Sequence, residues 1–113
     1  MKCETLEVWK RACAFSSKIY VSMKSCNDFG FKDQITRSGL SIPSNIAEGI
    51  ERKSARDQKR FLDIAQASAA ELKTQVYIGM KIAYIEKEWG KRIVMEIEEI
   101  RRMIKALSET IHE

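Results

Sequence analysis

Five basic residues lie close together in the sequence, and their side chains are of a type that binds anions. They are Arg52, Lys53, Arg56, Lys59 and Arg60. The only acid between them is Asp57, so the window 52–60 alone carries a net charge of +4, and the other fifteen bases and fifteen acids of the chain cancel. Basic side chains concentrated on one surface are typical of phosphate binding. The run therefore predicts a nucleic-acid-binding surface, and the alternative is a solvated start of a helix.

No set of residues suited to catalysis or to metal binding accompanies the basic run. The single histidine, His112, is the penultimate residue, so no Ser/His/Asp arrangement can be built around it. The five glycines are isolated, which excludes a glycine-rich phosphate loop. Cys3, Cys13 and Cys26 contain no CxxC pair, whereas a zinc site needs about four close ligands. We therefore predict a protein that is not an enzyme and that holds neither a metal nor a cofactor.

A polar stripe precedes the basic run. If residues 34–49 form a helix, polar side chains recur at offsets of three and four and share one face. Two interpretations stay open: a face exposed to solvent, or a buried network in which Arg37 pairs with Glu48, with Glu71, or with another subunit. The stripe consists of Gln34, Arg37, Ser41, Asn45 and Glu48. The predicted network comprises Gln34, Arg37, Asn45, Glu48 and Glu71.

Apolar periodicity predicts four helices that position these residues. Helix three is expected to begin at Ser54, capped by that residue, and to run for about 30 residues or roughly 45 Å. Helix four carries isoleucine and leucine at alternating steps of four and three from Ile93 to Ile111. With short connections, these helices predict an all-α, elongated, antiparallel up-and-down four-helix bundle. The other expected segments are helix one at 5–25, a turn at 26–30, helix two at 31–49 and a last turn at 83–89.

Pro43 disturbs helix two, because a proline inside a helix removes a backbone hydrogen bond and clashes with the preceding turn, at about 3 kcal/mol. Two geometries are open. Either the helix is kinked at Pro43, or one helix ends near Ser41 and another begins with Pro43 at its first position. Gly49 is expected to mark the end of helix two. Gly30 tolerates the positive φ that the first turn can require.

Length and composition predict one globular domain spanning residues 1–113. Apolar residues make up 44% and charged residues 32% of the chain, which excludes disorder. No apolar run approaches the roughly 20 residues of a membrane span, and the first residues lack a signal-peptide core. An odd number of cysteines without pairing motifs favours a reduced compartment. We expect a cytoplasmic protein that makes no contact with a membrane.

The segment SIPSNIAEG closely resembles the signature of the 23S rRNA intervening-sequence protein family, whose members are often labelled as ribosomal proteins. Further matching pieces occur in the same order. The resemblance implies a bacterial four-helix bundle that assembles as a homopentamer and has a link to RNA. The chain is also similar to accessory variability proteins of diversity-generating retroelements, which implies nucleic-acid binding together with a reverse transcriptase. The matching segments begin at Leu6 (LEVWKRA), Gln34 (QITRSGLSIPSN), Ser41 (SIPSNIAEG), Arg60 (RFLDIAQASAAELKTQ) and Ala83 (AYI).

Two functions of different classes remain open on the sequence. The first is an RNA- or DNA-binding protein whose contacts are electrostatic and weakly sequence-specific; base stacking is not indicated, because no aromatic residue interleaves with the basic run. The second is a scaffold that presents apolar grooves or charged rims to a protein partner. The broad apolar face of helix one and the narrow seam of helix four predict in both cases that the protein is an oligomer.

Overall fold

Four α-helices make up most of the computed structural model, which describes residues 6–112. They are α1 (Glu7–Ser22), α2 (Phe29–Glu51), α3 (Ala55–Lys81) and α4 (Lys87–Glu109). The described residues contain no β-strand. The predicted all-α class is thus confirmed, and α3, with 27 residues, is close to its expected length.

Contacts between neighbouring helices show that these helices run in opposite directions. Between α2 and α3, the Ser38 hydroxyl meets Glu71 while Ser41, three residues further along α2, meets Ser68, three residues earlier in α3. The same reversal relates α3 to α4 and α1 to α4. The helices thus form an up-and-down bundle, and its principal extents of 45 × 22 × 21 Å confirm the elongated shape.

The core is built from one apolar face of each helix. The predicted seam of α4 is confirmed for Ile93, Ile97, Ile100 and Ile104, which are all buried. Leu107 is half-buried, and Ile111 lies beyond the end of the helix. The same buried cluster includes Phe15 of α1 and Leu72 of α3, both fully buried. Removal of such side chains from water is the main term that stabilises a bundle of this size.

Helix α2 is one uninterrupted helix that passes through the buried Pro43. The alternative of two separate helices is therefore wrong. Two polar side chains bond to carbonyls in the turn that lacks the proline N–H: the Ser44 hydroxyl donates to the Leu40 carbonyl at 2.9 Å, and the Asn45 amide donates to the Ser41 carbonyl at 2.8 Å. The carbonyl that loses its helical donor at Pro43 is that of Gly39, and these two local bonds lie at the carbonyls of the two residues that follow it.

The ends of α2 differ from the prediction. The helix begins at Phe29, two residues before the expected start, because the Asp28 side chain caps it by accepting a hydrogen bond from the Phe31 N–H at 3.1 Å. Gly30 therefore lies in the first helical turn, and its φ is not positive. Helix α2 continues to Glu51, so Gly49 does not end it.

The connection between α3 and α4 closes with a Schellman motif. The Ala83 N–H donates to the Met80 carbonyl at 3.3 Å, and the Tyr84 N–H donates to the Gly79 carbonyl at 2.9 Å. Ala83 takes a φ of 63°, a conformation more usual for glycine. The turn is shorter than predicted, because Trp89 already lies in α4.

Candidate nucleic-acid interface

The basic run lies where the chain turns from α2 into α3. Three residues, Arg52 to Ser54, connect the helices, and the Ser54 hydroxyl caps α3 by accepting a hydrogen bond from the Asp57 N–H at 3.1 Å. The predicted cap is therefore confirmed. The Gln58 side-chain amide also donates to the Arg52 carbonyl at 3.0 Å. These two bonds fix the backbone that carries the first basic residues of the run.

Gly49 lets the two helices approach closely beside this turn. A Cβ atom at Gly49 would lie 3.1 Å from the Gln58 carbonyl oxygen and 3.3 Å from the Phe61 Cβ, both tighter than ordinary packing. The last glycine of the SIPSNIAEG segment is thus a packing residue. Its missing side chain brings the first turns of α3, with Phe61, up to the end of α2.

All five predicted basic residues lie at this junction, and we call them the junction surface. Four of the five are exposed and Lys59 is half-buried. Among the described residues, no carboxylate lies within salt-bridge distance of Lys53, Arg56 or Lys59. The junction surface consists of Arg52, Lys53, Arg56, Lys59 and Arg60.

Acidic side chains reduce the charge of the junction surface more than the sequence window 52–60 suggested. Arg52 forms an ion pair with Glu48, and the Arg60 Nε lies 3.8 Å from the Asp57 carboxylate. Glu51 is a third acid nearby, so the five bases and three acids of residues 48–60 give a net charge of +2. The unpaired cations therefore carry most of the attraction that this surface has for an anion.

Phe61 is the residue at this surface that the sequence interpretation missed. The Arg52 guanidinium carbon lies over its ring at 4.7 Å from the ring centroid, and the Arg60 guanidinium carbon lies at 4.6 Å from the same centroid. The available signal was an aromatic residue directly after Arg60. The stacking of Arg52, nine residues away, depends on the close approach at Gly49, which the sequence pattern did not indicate.

The predicted pairing of Arg37 with Glu48 or Glu71 does not form within the chain. The Arg37 Nε donates to the Asp33 carboxylate at 3.2 Å, and 79% of its side chain is exposed. Glu48 is engaged by Arg52. The intrachain version of the Arg37 pair is wrong, and its pairing with another subunit stays a prediction.

The middle of the polar stripe forms a half-buried seam between α2 and α3. The Ser41 and Ser68 hydroxyls lie 2.8 Å apart, and the Asn45 amide donates to the Ser41 hydroxyl at 2.9 Å. The Ser38 hydroxyl donates to the Glu71 carboxylate at 2.8 Å. Ser68 thus contacts Ser41 of the stripe, whereas Glu71 contacts Ser38, which is not one of the predicted stripe residues.

Other members of the stripe lie outside this seam. The Gln34 side chain is exposed, and only its backbone carbonyl accepts a hydrogen bond, from Ser38. The sequence interpretation also missed Ser38, which is 3% exposed. Its position three residues after the buried Ile35 is the signal that would have placed it on the inner face.

An apolar groove lies on the other side of α2, between α1 and α2. Its walls include Tyr20, Val21 and Leu40, with exposed fractions of 64%, 68% and 61%. The volume of the groove is about 550 Å³. Exposed apolar side chains that share a groove are typical of a surface that binds another protein chain.

Metal-ligating residues are not brought together in residues 6–112, where no three His, Cys, Asp or Glu side chains are grouped to hold an ion. Cys13 and Cys26 are free thiols, and Cys3 lies outside the described residues. Within the same residues, none of the four helices is both long and apolar enough to span a lipid bilayer.

Comparison with known proteins places the chain among similar sequences over most of its length. The model of a family described as 23S rRNA-intervening sequence protein matches residues 4–106. A solved structure from Bacteroides thetaiotaomicron VPI-5482, a protein with unknown function from the S23 ribosomal protein family, is 27% identical. It superposes with a TM-score of 0.83 over 89% of this chain and 97% of the other chain. No curated protein matches at a significant level.

Proposed function

Since the chain belongs to the 23S rRNA-intervening sequence protein family, we propose that it is a non-enzymatic protein that binds RNA through the junction surface. The observation that carries the proposal is the set of three cations, Lys53, Arg56 and Lys59, without carboxylate partners among the described residues. They stand at a capped helix start, where backbone N–H groups add partial positive charge. Such a surface attracts phosphate oxygens without reading bases.

The binding is expected to depend on charge more than on sequence. Each neutralised phosphate releases counterions, so affinity falls as salt rises, with a slope of about −0.7 to −0.9 per contact in logarithmic units. A net charge of +2 over residues 48–60 is modest for one chain. Several copies of the junction surface on one particle would raise both the affinity and the slope.

We propose, as part of the same function, that the protein is a homo-oligomer. The exposed groove with Tyr20, Val21 and Leu40 supports a surface for a second copy of the chain. The resemblance of SIPSNIAEG to its family implies five copies, which would together present about 25 junction bases to one nucleic acid. Light scattering at micromolar concentration should give several times 13.0 kDa; a mass near 13.0 kDa would exclude the oligomer.

The exposed apolar groove also favours a second candidate function, a protein-interaction scaffold without a nucleic-acid role. In that case the groove holds a different protein, and the junction surface is the solvated start of α3. A reverse-transcriptase partner, implied by the likeness to accessory variability proteins, belongs to this part of the proposal. It is compatible with RNA binding when the groove between α1 and α2 and the junction surface at the start of α3 are used together.

Equilibrium binding to a structured RNA and to an unrelated duplex DNA separates the two candidates. The test variant is Lys53→Gln with Lys59→Gln. The matched control, Lys81→Gln with Lys87→Gln, removes the same charge at the opposite end of the bundle. Fluorescence anisotropy across a salt series gives affinity and slope for each protein, after a high-salt wash has removed copurified nucleic acid.

The RNA proposal predicts that the test variant has a slope smaller by about 1 to 2 per engaged subunit, while the control keeps the parent slope. Both variants should remain folded, since surface substitutions usually change stability by less than about 0.5 kcal/mol. If the parent does not bind at about 50 mM salt, the scaffold function replaces the RNA proposal. If both variants weaken binding equally, RNA is attracted by overall charge, and the assignment of binding to the junction surface is wrong.

A further inference from the structure

We infer that Phe61 holds Arg52 and Arg60 as a paired guanidinium clamp for the phosphate backbone of a nucleic-acid strand. The inference rests on the proposed function and specifies how the junction surface would bind. It assigns Phe61 a role as a positioning residue, and it assigns the two arginines direct phosphate contacts in addition to the attraction of Lys53, Arg56 and Lys59.

The geometry of the stack carries this inference. Both guanidinium carbons lie over one ring, at 4.7 and 4.6 Å from its centroid, so they are separated by at most the sum of these distances, roughly 9.3 Å. A strand carries one phosphate per about 3.4 Å of helix axis. The two guanidinium carbons are therefore no more than about three such steps apart, within reach of phosphates of the same strand.

Stacking leaves the chemistry of an arginine available. The N–H donors of a guanidinium group lie in its own plane, and those that point away from the ring can bind oxygen side by side. Two cations already lie over the Phe61 ring, which leaves less of that ring open to stack on a base. The clamp is thus built for the backbone, which agrees with weak sequence preference.

The anchoring of Arg52 shows why these side chains are held before a ligand arrives. Its backbone carbonyl accepts from Gln58 at 3.0 Å, and its guanidinium lies on Phe61 and pairs with Glu48. The missing side chain of Gly49 allows Phe61 to reach this position. A group that is already ordered loses less conformational entropy when it binds.

A phosphate must compete with the carboxylates of Glu48 and Asp57 for the N–H donors of the two arginines. Glu48 pairs with Arg52, and Asp57 pairs with Arg60. Because a guanidinium group has five N–H donors, each arginine keeps further donors for a phosphate. A strand phosphate can share the arginine with the carboxylate or displace it. Glu48→Gln should therefore strengthen RNA binding, since it frees Arg52 and removes a repulsive charge.

The test separates charge from stacking with two sets of variants. Arg52→Lys with Arg60→Lys keeps both positive charges but loses the planar donors and the stack. Phe61→Leu removes the ring, and Phe61→Tyr retains it. The binding of a structured RNA is measured by anisotropy across a salt series for each protein and for the Lys53→Gln/Lys59→Gln variant.

The clamp predicts that the variants that lose the stack bind RNA more weakly while the salt dependence of their affinity stays the same. Each cation–π contact at an exposed site shifts the population of an ordered arginine by about two- to fivefold, so the double lysine variant and Phe61→Leu, which lose two such contacts, should bind about fivefold more weakly. Their salt slopes should stay at the parent value, because no charge is lost. Phe61→Tyr should bind like the parent.

Three results overturn the clamp in distinguishable ways. If the parent binds RNA and Lys53→Gln/Lys59→Gln weakens it, but the double lysine variant binds like the parent, the clamp is wrong and the proposed function stands. If the parent fails to bind RNA, both are wrong. If sodium pyrophosphate at constant ionic strength displaces RNA when equimolar with RNA phosphate, the arginines form a site for free phosphates, and the strand clamp is wrong.

Discussion

Replacement of glycine by alanine at two places in α2 tests the close approach on which the junction depends. Gly30 and Gly49 lie in the same helix with ordinary helical backbones. An alanine in a helix is favoured over glycine by about 0.5 to 1 kcal/mol, through the entropy of the unfolded chain. Any difference between the two substitutions must therefore come from what the new Cβ atom meets.

The surroundings of the two glycines predict opposite signs. At Gly30 the nearest atom to a new Cβ is Asp28 Oδ1 at 3.6 Å, an ordinary contact, so Gly30→Ala should stabilise the protein by about 0.5 kcal/mol. At Gly49 the nearest atom is the backbone oxygen of Gln58, at 3.1 Å, which cannot move without α3. Overpacking of this kind costs about 1 to 3 kcal/mol, which exceeds the helix-propensity gain, so Gly49→Ala should destabilise by about 1 kcal/mol or more.

Urea unfolding at one fixed protein concentration measures both variants against the parent. The midpoint should rise for Gly30→Ala and fall for Gly49→Ala, with an unchanged m-value. A new Cβ at position 49 would push the start of α3, and Phe61 with it, away from α2. Gly49→Ala should therefore also weaken RNA binding, while Gly30→Ala should not. A Gly49→Ala protein as stable as Gly30→Ala would refute the close approach of α2 and α3.

Three further expectations concern single residues. Ala83→Gly should raise stability by about 0.5 to 1 kcal/mol, or roughly 2 to 4 °C in a thermal scan, because alanine is strained at a φ of 63°; an unchanged melting temperature would show that the turn tolerates alanine. The Phe31 N–H and the Tyr84 hydroxyl, both bonded to Asp28, lower the pKa of that carboxyl below its ordinary 3.8. The ionised Asp28 carboxylate therefore stabilises the fold above about pH 4, and this contribution is lost as the pH falls through the lowered pKa. The Asp28→Asn variant should lose less stability than the parent between about pH 4 and 2. If stability falls equally for both proteins over this range, the prediction is wrong. Arg37→Ala and Arg37→Met should each change stability by less than about 0.5 kcal/mol, since Arg37 is exposed; a clear loss for the alanine variant alone would instead indicate that Arg37 packs against another subunit.

Periodicity predicted most of the fold, because burial on a helix repeats every three to four residues. The steps from Ile93 to Ile104 placed the seam of α4, and Ser54 placed the start of α3. The course of α2 through Pro43 was not decided by the sequence, since tertiary packing stabilises a buried proline that the isolated helix disfavours.

The sequence predicted which charged residues form the candidate site, but it did not predict which side chains those residues contact. The five bases share one short segment, so any turn there brings them together. The pairing of Arg52 with Glu48 and its stacking on Phe61 depend on how closely α3 approaches α2, which in turn depends on one missing Cβ at Gly49. In the same way, Arg37 pairs with Asp33, one turn earlier on its own helix, and not with the more distant Glu48 or Glu71.

The direct test of the account is to locate the bound RNA on the protein by amide hydrogen exchange, measured with and without a structured RNA at low salt. RNA bound at the junction surface should slow exchange in the first turns of α3, from Ser54 to Phe61, because phosphates would lie against the N–H groups at the helix start. The opposite end of the bundle, around Phe29 and Tyr84, should be unchanged. Protection confined to that opposite end, or to the groove at Tyr20 and Leu40, with none between Ser54 and Phe61, would contradict the assignment of RNA binding to the junction surface.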